Sequence, residues 1–266
     1  MKVPIALTIA GSSSAGGTGI QADLKTFSAL GVYGASAITC VNAQNPDGVQ
    51  EIYPLPAETV MKQIHAVCTM FPVKVAKTGM LYSSEIIRAV AAEDLSEGIA
   101  VLVVDPVMVN NSGDRLLQGD AVETLCNELL PVARIVTPNL HEAEILCGSS
   151  ISSIEELRSA AREIGQRYDV ACVAKGGHLT SDEVVDVLYD EGEEQVFSSP
   201  RVHGVSTHGA GSSFSAALTA YLGQGELLCD AVAAAKAYVA HALRSAIDVG
   251  NHRSLNFFWR EDEADS

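Results

Sequence analysis

Short apolar runs alternate with helix-length segments along most of this chain, and that alternation restricts the fold more than any other feature. Residues 3–10, 35–41, 73–77, 101–104, 134–136 and 170–174 read as strands. Residues 20–30, 57–70, 84–92, 121–130, 140–146 and 154–167 read as helices between and after them. The run Val101-Leu-Val-Val104 is apolar throughout, which fits a strand covered on both faces. Ser84 opens one helix, and Ser153-Ile-Glu-Glu156 carries the capping-box pattern before another. Residues 184–189 and 195–198 predict a hairpin around Asp190-Glu-Gly192. Residues 209–223 and 229–247 predict two long Ala-rich helices. The expected fold is α/β, a mostly parallel central sheet with helices on both faces. No linker-like break interrupts the pattern, so one domain is expected over 1–250 and a C-terminal tail over 251–266, with an acidic end that frays.

Composition removes several function classes. Lys and Arg number 17 against 33 Asp and Glu, a net charge of −16, and no stretch gathers the basic residues into a patch. A nucleic-acid partner is therefore not expected. The most apolar stretch, residues 99–109, is broken by Asp105 and Pro106, well short of the roughly 20 apolar residues of a membrane span. Six widely spaced cysteines form no CxxC pair and sit mostly among apolar neighbours. They read as buried small hydrophobes in a reducing, cytoplasmic setting. No signal-peptide pattern follows Met1.

Two glycine-rich turns stand between a strand and a helix. The first, Gly11-Ser-Ser-Ser-Ala-Gly-Gly-Thr-Gly19, approaches a P-loop, but Gly17 stands where that motif needs Lys, so the Walker A reading fails. It leaves a loop of small residues through which backbone can approach a ligand, or simply a tight turn that needs glycine. The second, Thr207-His-Gly-Ala-Gly-Ser-Ser213, enters a helix. Free N–H groups at such a terminus bind anions, although a plain Ser-capped helix has the same look.

Three further segments end strands, where open α/β sheets place ligands. Asp105-Pro-Val-Met108 ends one. Thr137-Pro-Asn-Leu-His-Glu142 follows another, with Asn139 and Glu142 three apart and able to aim at one phosphate or metal-bound water. Lys175-Gly-Gly-His178 ends a third and brings a cation to a flexible turn.

Taken in order, these strings resemble the hydroxymethylpyrimidine/phosphomethylpyrimidine kinases of thiamine synthesis, within the ribokinase-like superfamily. The matching strings include Leu7-Thr-Ile-Ala-Gly-Ser12, Gly19-Ile-Gln-Ala-Asp-Leu-Lys-Thr-Phe-Ser-Ala-Leu-Gly31, Ala43-Gln-Asn45, Lys77-Thr-Gly-Met-Leu81, Asp105-Pro-Val-Met108, Thr137-Pro-Asn-Leu140, Lys175-Gly-Gly-His-Leu179 and Thr207-His-Gly209. The resemblance implies a three-layer α/β/α sandwich. It implies phosphoryl transfer from ATP, with Mg²⁺, to a hydroxymethylpyrimidine and then to its monophosphate, and it implies a homodimer. It places Gln44 on the amino and ring-nitrogen edge of the pyrimidine, with Gly11, Asp23, Met80 and Val107 lining the same pocket. It puts Asn139, Glu142, Thr207, Lys175 and Lys236 near the nucleotide phosphates and Asp105 and Glu142 near the metal. It implies that Gly209 and Gly211 form an anion hole, with Ser212 at its end in the catalytic position and Lys175 facing the phosphates, and that residues 110–117 correspond to the family's flap.

The chain departs from the family pattern at two places. Where the family reads Gly-Thr-Gly-Cys-Thr, this chain reads Gly209-Ala-Gly-Ser-Ser213, so Ser212 stands where a base is expected. A Ser hydroxyl is no general base at neutral pH. In the first turn, Ser13, Ala15 and Thr18 replace the family's Asp, Gly and Ala. Three expectations follow: an active pyrimidine kinase, a pyridoxal or pyridoxine kinase of the same fold, or a pyrimidine-binding relative with weakened catalysis.

Overall fold

The computed structural model describes residues 3–92, 98–109 and 116–258. Nine strands form one sheet in the order β3-β2-β1-β4-β5-β6-β7-β8-β9. Its six inner strands are parallel: β2 (Tyr33–Asn45), β1 (Ile5–Ser13), β4 (Val75–Thr78), β5 (Val101–Val104), β6 (Ile135–Val136) and β7 (Ala171–Lys175). Both edges turn antiparallel, with β3 (Gly48–Pro54) on β2 and the hairpin β8 (Glu183–Asp190) and β9 (Glu193–Pro200) on β7.

The central strands are buried on both faces, so their side chains feed two cores. On one face, α2 (Ala57–Met70), α3 (Ser84–Ala92), α5 (Leu140–Cys147) and α6 (Ile154–Tyr168) pack Val60, Ile64, Ile87, Leu146 and Leu157 against Leu7, Val104 and Cys172. On the other, α1 (Gly19–Ala29), α7 (Ala210–Gly223) and α8 (Leu228–Arg244) pack Phe27, Leu218 and Tyr238 against Ala6, Val103 and Val173. This is the expected three-layer sandwich. Each large apolar side chain so buried contributes roughly 1.5–3 kcal/mol. Between α3 and β6, α4 (Ala121–Thr124) runs on into a π-helical stretch, Leu125–Leu129, and a short 3-10 turn, Leu130–Val132. Pro131 has no N–H with which to prolong the ladder.

The structure differs from the sequence reading in four places. β3 was not expected; it is an exposed edge strand without apolar alternation. The last helix stops at Arg244, and Ile247–Val249 and His252–Ser254 pair as a small second sheet, β10 and β11. Part of the expected tail from 251 is packed: Leu255 and Phe257 are buried, and the Tyr238 hydroxyl donates to the Phe257 carbonyl at 2.8 Å. Residues 259–266, which hold most of the expected acidic end, lie outside the described residues. Finally, of the cysteines only Cys40 and Cys172 are buried, and Cys68 is exposed.

Every parallel strand delivers its C-terminal end to one edge of the sheet. The strand order reverses between β1 and β4, the place at which open α/β sheets bind their ligands. Both glycine-rich turns and the ends of β5 and β7 reach that edge.

Candidate active site

The two glycine-rich turns close on each other. Gly209 caps α7 with φ of 90°, a backbone region that glycine enters freely. A Cβ at this position would lie 1.9 Å from the Gly17 carbonyl oxygen, so the turns touch backbone to backbone. Behind Gly209, the Ala210 N–H donates to the Thr207 carbonyl, and the Ser213 N–H to that of Gly209. Gly211 and Ser212 supply the remaining first-turn N–H groups, and no side chain caps them. The Lys175 ammonium faces them, 3.3 Å from where a Cβ on Gly211 would sit. Backbone donors, helix dipole and a cation thus converge on one spot.

Lys175 is placed by β7 and held by acid. Its ammonium donates to Asp105 Oδ1 at 3.1 Å, and its side chain is only 12% exposed. Thr137 also donates to Asp105 Oδ1, and Ser215 of α7 donates to Oδ2. Burial works against the charge on Lys175, but Asp105, Glu142 and Asp186 together hold its pKa above the ordinary lysine value. Glu142 lies in the same buried cluster. Burial, opposed by Lys175 and reinforced by Asp105, pushes its carboxyl up to about 8.

Asn139 and Glu142 do not point outward side by side. The Glu142 N–H donates to Asn139 Oδ1 at 3.0 Å, and the Asn139 N–H donates to Glu142 Oε2 at 2.8 Å. They form the capping box of α5. This corrects the expectation that both side chains aim freely at one ligand, since half of each is spent on the helix terminus.

The opposite wall comes from β1 and β2. Gly11 is buried so tightly that a Cβ would meet Cys40 Sγ at 2.8 Å and the Asn42 amide at 3.3 Å. Met80, also buried, lies with its sulfur 3.9 Å from Asn42 Nδ2. Gln44 has its backbone held at both ends by Ser14, whose hydroxyl donates to its carbonyl and accepts from its N–H. Its Oε1 accepts from the Ser13 hydroxyl at 3.2 Å, and its Nε2 meets His208 Nε2 at 3.2 Å. The substrate-side and phosphate-side turns are therefore bonded through Gln44 and His208. Val107, half-buried, follows Asp105 closely enough for its N–H to donate to the Asp105 carbonyl at 2.8 Å.

Two expected site residues are placed elsewhere. Asp23 has no exposed surface, and its two oxygens accept from Lys77 at 2.8 Å and Thr8 at 2.6 Å. It is the buried half of an ion pair and presents no surface to a pocket. Lys236 donates to Asp186 Oδ2 at 2.8 Å, and Asp186 Oδ1 accepts from the Gly176 N–H. Lys236 thus steadies the turn after Lys175 through Asp186 and does not reach the phosphate spot itself. Thr207 contributes its carbonyl to the turn and is otherwise exposed. Most of the expected flap, residues 110–115, lies outside the described residues. Sequence reasoning gave no bonding role to His208, Ser13, Ser215 or Lys77. His208 carried a local signal as the one titratable side chain in the second turn, and Ser13 one as a departure from the family string.

A shallow, open cleft lies beside α7, α8 and β8, lined by Val184, Pro200, Val202, Phe214, Val239 and the Asp186–Lys236 pair. For a divalent cation the donor chemistry is suitable but sparse. Asp105 and Glu142 are hard oxygen donors, and the described residues hold no cluster of three or more acidic, His or Cys side chains. Two carboxylates beside a phosphate spot suit Mg²⁺, which takes one or two protein carboxylates and completes its shell with water and phosphate oxygens.

A parallel sheet that aims a helix N-terminus, a buried lysine and two acids at one point defines an α/β phosphotransferase. The sequence profile described as phosphomethylpyrimidine kinase matches residues 13–256, and the chain belongs to that family. The hydroxymethylpyrimidine/phosphomethylpyrimidine kinase of Rhizobium meliloti is 48% identical over 92% of this chain and 91% of its own length. The thiamine biosynthesis bifunctional protein ThiED of Geobacter sulfurreducens is 46% identical over 94% of this chain, which spans 51% of that longer protein. Among solved structures, an ADP complex of Bacillus subtilis pyridoxal kinase superposes with a TM-score of 0.89 at 33% identity, covering 98% of this chain and 99% of that one. The fold is the ribokinase-like sandwich that the sequence strings implied.

Proposed function

We propose that the protein transfers a phosphoryl group from ATP to the hydroxymethyl oxygen of 4-amino-5-hydroxymethyl-2-methylpyrimidine, and then phosphorylates the monophosphate, in thiamine diphosphate synthesis. One observation carries the reading. The carboxamide of Gln44 is bonded at 3.2 Å to His208, which stands next to the Gly209–Ser212 anion hole and its Lys175. A ring reader and a phosphate holder are thus joined in one unit. Gln44 offers one donor and one acceptor to the amino and ring-nitrogen edge. Asn42, Met80 and the bare Gly11 supply a close-fitting wall behind it. The apolar cleft beside Phe214 and Val239 suits the adenine of ATP.

Transfer of this kind relies on positioning and on stabilising spread negative charge, more than on a strong base. Ser212 is no base, and the reading needs none. Its N–H and that of Gly211 hold the transferring group while Lys175 sets a positive charge against it. Asp105 keeps Lys175 aimed, and Thr137 and Ser215 keep Asp105 aimed. Asp105 and Glu142 would hold Mg²⁺, which neutralises phosphate charge when bound. Cysteines scattered without a CxxC pair support a reducing, cytoplasmic setting, and the family resemblance supports a homodimer.

Steady-state assays of the purified chain with MgATP test the reading. The hydroxymethylpyrimidine should turn over with a higher kcat/KM than pyridoxal. The Bacillus subtilis pyridoxal kinase likeness makes pyridoxal the second substrate to measure. Faster pyridoxal turnover would move the assignment to that ring, and no turnover by folded protein would end it.

A further inference from the structure

We propose that His208 is a positioning residue that decides which way round the Gln44 carboxamide faces, and so sets the order of donor and acceptor read on the substrate ring. The inference deepens the kinase reading and borrows its substrate from it.

The argument starts from valences. An amide oxygen has two lone pairs and an amide nitrogen two hydrogens. The protein uses one of each: Ser13 donates to Oε1, and Nε2 meets His208 Nε2. One acceptor and one donor remain, side by side, which is what an aminopyrimidine edge requires. Turning the amide over exchanges them and ruins the match. Ser13 does not prevent this, because a hydroxyl accepts as readily as it donates. The choice falls to His208. With Nε2 unprotonated, His208 accepts and the Gln44 nitrogen must face it. With a proton on Nε2, two donors collide and the amide turns over.

The surroundings favour the neutral ring, in which one nitrogen is left without a proton. The ring is packed against the first turn, 3.9 Å from where a Cβ on Gly17 would sit. Burial is the only cause that moves its pKa, and it moves it below the ordinary histidine value. The charged groups on neighbouring elements are turned elsewhere: Lys25 of α1 donates to the Gly16 carbonyl at 2.7 Å, and Lys175 of β7 to Asp105. On β2 the facing group is the neutral Gln44. Ser14 clamps the Gln44 backbone, so the side-chain flip is the freedom left to this residue.

The first test needs no substrate. In ¹⁵N NMR of the full-length, ligand-free chain at neutral pH, His208 should be neutral with its proton on Nδ1. A neutral ring carrying its proton on Nε2 overturns the proposal. The second test is kinetic, between pH 5 and 8, with wild type and His208→Gln. In wild type, KM for the aminopyrimidine should rise by about tenfold per pH unit below the His208 pKa, following the competent fraction, with kcat changing much less. Gln at 208 does not titrate but can donate or accept, so it should no longer hold the Gln44 amide one way round: KM at neutral pH should rise and the profile flatten. Identical profiles for the two proteins overturn the proposal. A protein that folds but never phosphorylates the pyrimidine refutes the kinase reading, while the NMR result still decides the role of His208.

Discussion

Replacing Gly209 by Ala should separate catalysis from the rest of the fold. The substitution meets two obstacles. At φ of 90° a side chain is strained, at a cost of about 1–3 kcal/mol. The added Cβ would stand 1.9 Å from the Gly17 carbonyl oxygen, where van der Waals contact needs well over 3 Å. The first turn must therefore retreat by more than 1 Å. That turn carries Ser13 and Ser14, which hold Gln44, and Gln44 meets His208 at only 3.2 Å. A misplacement of about 1 Å between reactants can cost about 10²-fold. We expect kcat/KM for the pyrimidine to fall at least that far, with a fall in Tm of several degrees by thermal scanning. Gly211→Ala is the control that separates strain from chemistry. Its backbone lies inside α7 and outside the left-handed region, and Ala is a better helix former by up to about 1 kcal/mol. Its Cβ sits 3.3 Å from the Lys175 ammonium, so it should lower activity while leaving Tm unchanged or higher. Wild-type activity in Gly209→Ala, or an equal loss of Tm in both variants, would refute the reasoning.

Ser212→Cys should change kcat by less than tenfold if the backbone anion hole dominates; a gain of 10²-fold or more would show that a base at this position limits the rate. Lys77→Met leaves the buried Asp23 carboxylate without its counter-ion, a loss of about 3–5 kcal/mol, so Tm should drop by about 10 °C, and adding Asp23→Leu should restore much of it. Glu142 titrates near 8 when folded and near 4.5 when unfolded, so the folded chain binds the extra proton between those values. Its stabilising share is therefore complete below about pH 4.5 and lost as pH rises through 8. Thermal melts of metal-free protein should show a fall across this window that Glu142→Gln reduces.

Local signals located most of the fold. The helices Ala57–Met70 and Ser84–Ala92 and the strand Val101–Val104 match the sequence reading residue for residue, because periodicity and capping act over neighbouring residues. β3 had no such signal: it lies on a sheet edge with both faces largely exposed, so burial imposes no alternation on it. The Asn139-Leu-His-Glu142 string did carry a readable signal, since it has the same N-cap-to-N3 spacing as Ser153-Ile-Glu-Glu156; reading it as a ligand pair overlooked the local alternative.

By itself, the sequence determined the layered α/β architecture, the two glycine turns and the edge of the sheet at which ligands gather. Its strings also carried the family. Only the tertiary structure decided the pairing of charges. Asp23 met Lys77, 54 positions away; Asp105 met Lys175, 70 away; Asp186 met Lys236, 50 away. Nothing local distinguishes one lysine from another. Desolvation does, because a carboxylate taken out of water must find whichever cation the packing brings within reach. That choice left Lys175 at the N-terminus of α7, tied Lys236 to Asp186 in the lining of the cleft beside α8, and buried Asp23 with Lys77.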